Sequence, residues 1–150
     1  MAGPQAQGGE RVLDLGCGSG ILSIASLLLG AGEASACDID DKCLDVAYEN
    51  AALNGVGRDR YTVLAGDILS DEALQARLGE GYDLVVANIV ADVILALAPA
   101  VRRYLKSGGA FLCSGIIDDR AEEVARGLRE NGWEILETRQ SEGWFSYLCR

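Results

Sequence analysis

Short apolar runs alternate along this chain with longer segments whose apolar residues recur at three- and four-residue spacing. The short runs, 11–15, 34–38, 61–65, 82–88 and 110–115, read as strands. The longer segments, about 19–29, 41–53, 71–78, 91–105 and 118–131, read as helices. Leu44, Ala47, Tyr48 and Ala51 share one helical face, and Ala121, Val124, Ala125 and Leu128 share another. Glycines punctuate the pattern at Gly30 and Gly32, Asn54-Gly55, Gly79 and Gly81, Ser107-Gly108-Gly109, and Gly132. Two extended runs close the chain, 133–139 and 144–149, and Ser141-Glu142-Gly143 between them predicts a hairpin. Alternating strands and helices imply right-handed crossovers and a parallel sheet with helices on both faces. The terminal hairpin adds an antiparallel strand, which makes a mostly parallel, seven-stranded Rossmann-like α/β sheet.

Composition narrows this picture. A chain of 150 residues suits one domain, and 49% apolar content with only 2 Pro excludes a disordered chain. The first ten residues, rich in Gly and Gln, are expected to be a flexible N-terminal segment, with residues 11–150 forming the domain; they lack the apolar core of a signal peptide. The longest apolar stretch, 84–101, is interrupted by Asn88, Asp92 and Pro99, which argues against a membrane span. The net charge of −10 argues against a phosphate-binding, nucleic-acid surface and suits a basic partner such as a lysine-rich protein, although acidity also serves solubility. Five Cys, no Cys-x-x-Cys pair and no His argue against a zinc site. Cys17, Cys37, Cys113 and Cys149 fall in or beside predicted strands, as small buried hydrophobes do, and this suits a reducing, cytoplasmic setting.

The chemistry concentrates where the first strand meets the first helix. Val12-Leu13-Asp14-Leu15-Gly16-Cys17-Gly18-Ser19-Gly20-Ile21 is a buried strand, three alternate glycines and the start of an apolar helix. Such an elbow lets a ligand approach the backbone and meets it with free helix N–H groups. A dinucleotide fingerprint needs its third glycine at position 21, and Ile21 stands there, which disfavours a nicotinamide oxidoreductase. Gly-x-Gly-x-Gly led by Asp14 looks instead like motif I of the class I methyltransferases, which implies S-adenosylmethionine as cofactor, held by Asp14, Gly16, Cys17, Gly18 and Gly20.

In open α/β sheets ligands sit beyond the carboxyl ends of the strands. Strand two ends in Asp38, 24 residues after Asp14, near the offset of a ribose-binding carboxylate, and Ile39 follows to pack on adenine. Strand three ends in Gly66-Asp67-Ile68, where Asp67 can accept from an adenine amino group. Strand four ends in Asn88-Ile89-Val90, where a methyl acceptor is held, so Asn88 is the candidate catalytic residue as well as a cofactor contact. Each has a plainer reading. Asp67 and Asn88 also suit turns, Asp40 or Asp41 caps the second helix, Tyr48 and Leu44 suit the core, and Asp118 and Asp119 suit a helix start.

Residues 12–24, Asp38-Ile39-Asp40, residues 49–54, residues 83–89 and Ser114-Gly115-Ile116 together resemble the bacterial ribosomal protein L-eleven methyltransferases. The resemblance covers residues 10–150 and implies a protein lysine or N-terminal amine methyltransferase whose partner is a large-subunit ribosomal protein. It also implies an N-terminal recognition domain, a linker and a His- and Thr-containing segment before the elbow, none of which is in this chain. A catalytic-domain fragment or a shortened homologue is therefore expected. A small-molecule methyltransferase and a non-catalytic cofactor-binding or interaction module are the alternatives, since a glycine elbow does not reveal the acceptor.

Overall fold

The computed structural model describes residues 9–150. Seven strands run β1 (Arg11–Leu15), β2 (Glu33–Asp38), β3 (Tyr61–Ala65), β4 (Tyr82–Asn88), β5 (Leu105–Ile117), β6 (Ile135–Ser141) and β7 (Trp144–Cys149). Five helices connect them, α1 (Ile21–Leu28), α2 (Lys42–Leu53), α3 (Glu72–Leu78), α4 (Ala91–Leu97) and α5 (Asp118–Glu130). The spatial order is β3-β2-β1-β4-β5-β7-β6. The strands from β3 to β5 pair in parallel, and β7 pairs antiparallel with both β5 and β6. Order reverses between β1 and β4, so the crevice that parallel sheets offer to ligands opens there.

Covered on both faces, the central strands read as almost unbroken apolar runs. Leu13, Leu15, Val85 and Phe111 meet α3, α4 and α5 on one side. Val12, Ala36, Val63 and Val86 meet α1 and α2 on the other. The two-residue period of β1 puts Asp14 on the α1 side, with Val12.

Three expectations are corrected. The helix predicted over 91–105 stops at Leu97, and Val101–Tyr104 form a 3-10 turn. Pro99 has no N–H for the next helical bond, and the Ala98 carbonyl is taken instead by the Trp133 indole at 2.9 Å. The turn predicted at Ser107-Gly108-Gly109 lies inside β5, because Tyr82 pairs with Leu105 and Leu84 with Ala110, and the residues between bulge out. The strand predicted over 133–139 begins at Ile135; Trp133 is buried instead, its ring 5.2 Å from that of Phe111. Of the segment expected to be flexible, residues 1–8 lie outside the described residues. Glu10 is anchored, its carbonyl accepting from the Gly32 and Glu33 amides at 2.8 and 3.3 Å.

Candidate functional site

The register aligns the ends of three strands. Leu15 pairs with Cys37 on one side and Ala87 on the other, so Gly16 emerges between Asp38 and Asn88. The elbow then folds back on its neighbours. The amides of Gly16 and Cys17 both donate to the Cys37 carbonyl, at 2.9 and 3.0 Å, and the Gly20 amide closes onto the Cys17 carbonyl at 2.9 Å. This path needs positive φ at Gly16 (75°), Gly18 (55°) and Gly20 (86°), which side chains disfavour. Gly16 and Gly20 also lack space: a Cβ would stand 2.5 Å from Ile89 Cγ2 at the first, and 2.7 Å from the Tyr61 hydroxyl at the second. At Gly18 a Cβ would meet nothing within 4 Å. Helix α1 opens on Gly20, which offers no side-chain cap; the Ser23 amide is taken by Asp14, and the Ile21 and Leu22 amides remain for a ligand.

Asp38 joins elbow to cavity. One carboxylate oxygen accepts from the Gly18 amide at 2.9 Å, the other from the Asp40 amide at 3.0 Å. Each oxygen keeps a lone pair for a further donor. Beside it lies a cavity of about 310 Å³, within the range of small-ligand sites. Gly16, Asp38, Ile39, Gly66, Asp67 and Ile68 line it, six of the residues predicted from strand ends. Asp67 serves its turn as well, accepting from the Leu69 amide at 3.0 Å. Ile89, from the strand-four end, is joined by Val93 and Leu97 in an apolar wall; sequence reasoning missed the latter two, because apolar residues at helical spacing read as core. Gly66, at φ 146°, has Asp71 and Leu74 pressed against it. Asp71 is held there by capping α3, accepting from the Leu74 amide at 3.0 Å.

The other predicted residues stand off the cavity wall. Gly18, Gly20 and the backbone of Cys17 build the elbow. Asn88 is exposed at the end of β4, and its Oδ1 fills the space a Cβ on Gly115 would need, 2.3 Å from that position. Asp14 lies beneath the elbow at 1% exposure. Its Oδ2 accepts from the Ser23 hydroxyl at 2.5 Å, and the Tyr61 hydroxyl donates to Ser23 at 3.0 Å. Its Oδ1 is buried without a partner. The plainer readings hold at several positions. Asp40 accepts from the Lys42 amide at the start of α2, at 3.0 Å. The Tyr48 hydroxyl accepts from the Val63 amide at 2.7 Å, a structural role. Asp118 and Asp119 open α5.

Burial sets the electrostatics. It lifts the Asp14 carboxyl from 3.8 to about 6, against the lowering effect of the Ser23 bond and with a further rise from the Asp38 charge. Burial also pushes the Cys37 thiol up to about 12 and raises Cys17 well above its ordinary value, so neither is a reactive thiolate at neutral pH. The folded protein retains the Asp14 proton that the unfolded chain releases between 3.8 and about 6. This group's contribution to stability is therefore complete below that window and lost as pH rises through it. The shift corresponds to roughly 2–3 kcal/mol. Thermal unfolding of the wild type and Asp14→Asn should show it. The wild type should lose stability relative to the variant between about pH 4 and about pH 7, by several degrees in Tm. Parallel profiles would contradict the buried carboxyl.

Among doubly wound α/β folds, an antiparallel strand slipped between the last two parallel ones marks the class I methyltransferases, and this chain has that fold. The family model for "Ribosomal protein L11 methyltransferase (PrmA)" matches residues 3–150. The ribosomal protein L11 methyltransferase of Desulforamulus reducens is 46% identical over 143 residues, which are 95% of this chain and 44% of that protein. A crystal structure of ribosomal protein L11 methylase from Lactobacillus delbrueckii subsp. bulgaricus superposes with a TM-score of 0.86 at 33% identity, over 96% of this chain and 71% of that one. Aeropyrum pernix fibrillarin, solved with natively bound S-adenosyl-L-methionine, shares the fold at 16% identity and a TM-score of 0.78, over 97% of this chain and 68% of its own. This chain belongs to the ribosomal protein L11 methyltransferase family. It spans a little under half the length of the curated relatives it matches.

Proposed function

We propose that this chain is the catalytic domain of an S-adenosylmethionine-dependent methyltransferase acting on lysine or N-terminal amino groups of ribosomal protein L11. The observation that carries this is the join of the glycine elbow to Asp38 beside an apolar cavity at the switch point of the sheet. The residues fit the cofactor. Asp38 has lone pairs for two ribose hydroxyls, and a carboxylate accepts both at once. Ile39 and Ile68 offer apolar faces to adenine, and Asp67 an acceptor for its amino group. The elbow and the Ile21 and Leu22 amides that open α1 are left for the carboxylate of the amino-acid half, and the unpartnered oxygen of Asp14 for its cationic groups. A negative partner suits a sulfonium with no phosphate.

The bound cofactor supplies an electrophilic methyl group on a good leaving group, so the protein supplies orientation and exclusion of water. No nucleophilic side chain is required, in keeping with the protonated thiols around the elbow. A lysine acceptor must lose its proton, which at pH 7 costs roughly 4.6 kcal/mol from a reference pKa of 10.4. Asn88 holds the acceptor amine through its side-chain or main-chain oxygen, and Gly115 leaves the space that fixes that side chain. Asn88→Ala in the full-length enzyme should lower kcat by about 10- to 100-fold, the worth of one hydrogen bond to a group that gains charge in the transition state, while the cofactor Kd stays unchanged. An unaltered kcat would remove the Asn88 side chain from the mechanism.

The partner is L11 itself, with no role for nucleic acid in a chain of net charge −10. Among the described residues no helix is long and apolar enough to cross a membrane. The setting is the cytoplasm. Calorimetry with S-adenosylmethionine, S-adenosylhomocysteine and NAD tests the cofactor, and transfer of radiolabelled methyl groups by the full-length enzyme to purified L11 tests the reaction. The first two ligands should bind and NAD should not. Binding of NAD alone, or of none of the three, would overturn the proposal.

A further inference from the structure

The elbow is tied down from α2 as well as from β2. The Nδ2 of Asn50, 31 residues away in sequence, donates to the Ser19 carbonyl at 3.0 Å. Asn50 is half-buried on α2, one turn after Ala47, whose Cβ lies 3.2 Å from where a Gly20 Cβ would stand. Four other elbow bonds hold backbone amides, Gly16 and Cys17 on Cys37, Gly18 on Asp38 and Gly20 on Cys17, and the Cys17 thiol donates to the Gly18 carbonyl at 3.8 Å. Asn50 alone among the described side chains holds the Ser19 carbonyl; together with the Gly20 amide on the Cys17 carbonyl it pins the Ser19–Gly20 peptide from both ends at the mouth of α1.

We propose that Asn50 is a positioning residue, which fixes the Ser19–Gly20 peptide so that the elbow meets the amino-acid half of the cofactor. This rests on the cofactor reading above. A peptide flip at Ser19 would turn a carbonyl towards the helix mouth, where a carboxylate or ammonium has to be matched by N–H groups and fixed charge. The adenosine half, held by Asp38 and the cavity wall, lies outside Asn50's reach. Its role is therefore visible as a difference between two ligands.

Calorimetry measures S-adenosylhomocysteine and 5′-methylthioadenosine, which lacks the amino-acid half, on wild type, Asn50→Asp, Asn50→Ala and Asn54→Ala. Asn50→Asp is nearly isosteric but sets an acceptor against the Ser19 carbonyl, and Asn50→Ala deletes the donor. Asn54 is the control: it caps the C-terminal end of the same helix and donates to the Asn50 carbonyl at 2.9 Å. Both Asn50 variants should bind S-adenosylhomocysteine about 10-fold more weakly, the worth of one hydrogen bond, and methylthioadenosine within about twofold of wild type. Asn54→Ala should bind both as wild type does. Equal loss for both ligands, or the same loss in Asn54→Ala, would mean that Asn50 only supports the fold. Unchanged binding of both would remove its role altogether. Failure of the wild type to bind either ligand would instead overturn the cofactor reading, and this inference with it.

Discussion

Asp38→Ala should weaken S-adenosylhomocysteine binding by about 100- to 10,000-fold while the chain remains folded. Two bonds from ribose hydroxyls to a carboxylate are worth roughly 1.5–3 kcal/mol each, and each 1.4 kcal/mol is tenfold in affinity. The same carboxylate also holds the Gly18 amide at 2.9 Å, so the substitution loosens the elbow as it deletes the ribose contact. Asp38 is half-buried at a strand end, and the stability cost should stay near that of one or two hydrogen bonds, roughly 1–3 kcal/mol. Calorimetry and thermal unfolding separate the two effects. An affinity within tenfold of wild type, in a folded protein, would contradict the ribose role.

Gly20→Ala should act mainly on stability. Gly20 is buried at φ 86°, and a left-handed conformation costs a side chain about 1–2 kcal/mol. The new methyl would also lie 2.7 Å from the Tyr61 hydroxyl and 3.2 Å from Ala47 Cβ. Displacing that hydroxyl breaks its bond to Ser23, which in turn holds Asp14, and Ala47 can yield only by moving α2. Overpacking of this kind costs roughly 1–3 kcal/mol more. A total near 3–4 kcal/mol lowers Tm by about 6–15 °C for a domain of this size. Gly18→Ala is the contrast, since its side chain would meet nothing within 4 Å, and it should cost no more than the backbone strain. Equal shifts for the two variants would show that packing under Gly20 does not matter.

What could be read in advance was local. Strand ends, glycine spacing and the carboxylate that ends β2 depend on neighbours a few residues apart, and six residues read that way line one cavity. Asp14 was legible only in part. Its strand period puts it on the α1 face, but the apolar run around it says nothing of Ser23 or of an oxygen left without a partner. Val93 and Leu97, which extend the wall begun by Ile89, carry the same pattern as core packing, and only the three-dimensional gap above them marks a binding surface. Pro99 announced the end of α4, yet the apolar residues on either side masked it. The bulge in β5 and the Asn50 tether join distant positions, and no local spacing reports such pairs. Asn50 lies in a stretch that carries the family resemblance, but its bond partner appears only once α2 packs on the elbow.

The central claim is that the glycine elbow and the Asp38 carboxylate together hold an adenosyl cofactor, and a crystal structure of the chain with S-adenosylhomocysteine tests it most directly. The ribose hydroxyls should lie within hydrogen-bond distance of Asp38, the base beside Ile39, and the amino-acid end against the first turn of α1. A ligand seated elsewhere on the molecule, with nothing beside Asp38, would contradict it.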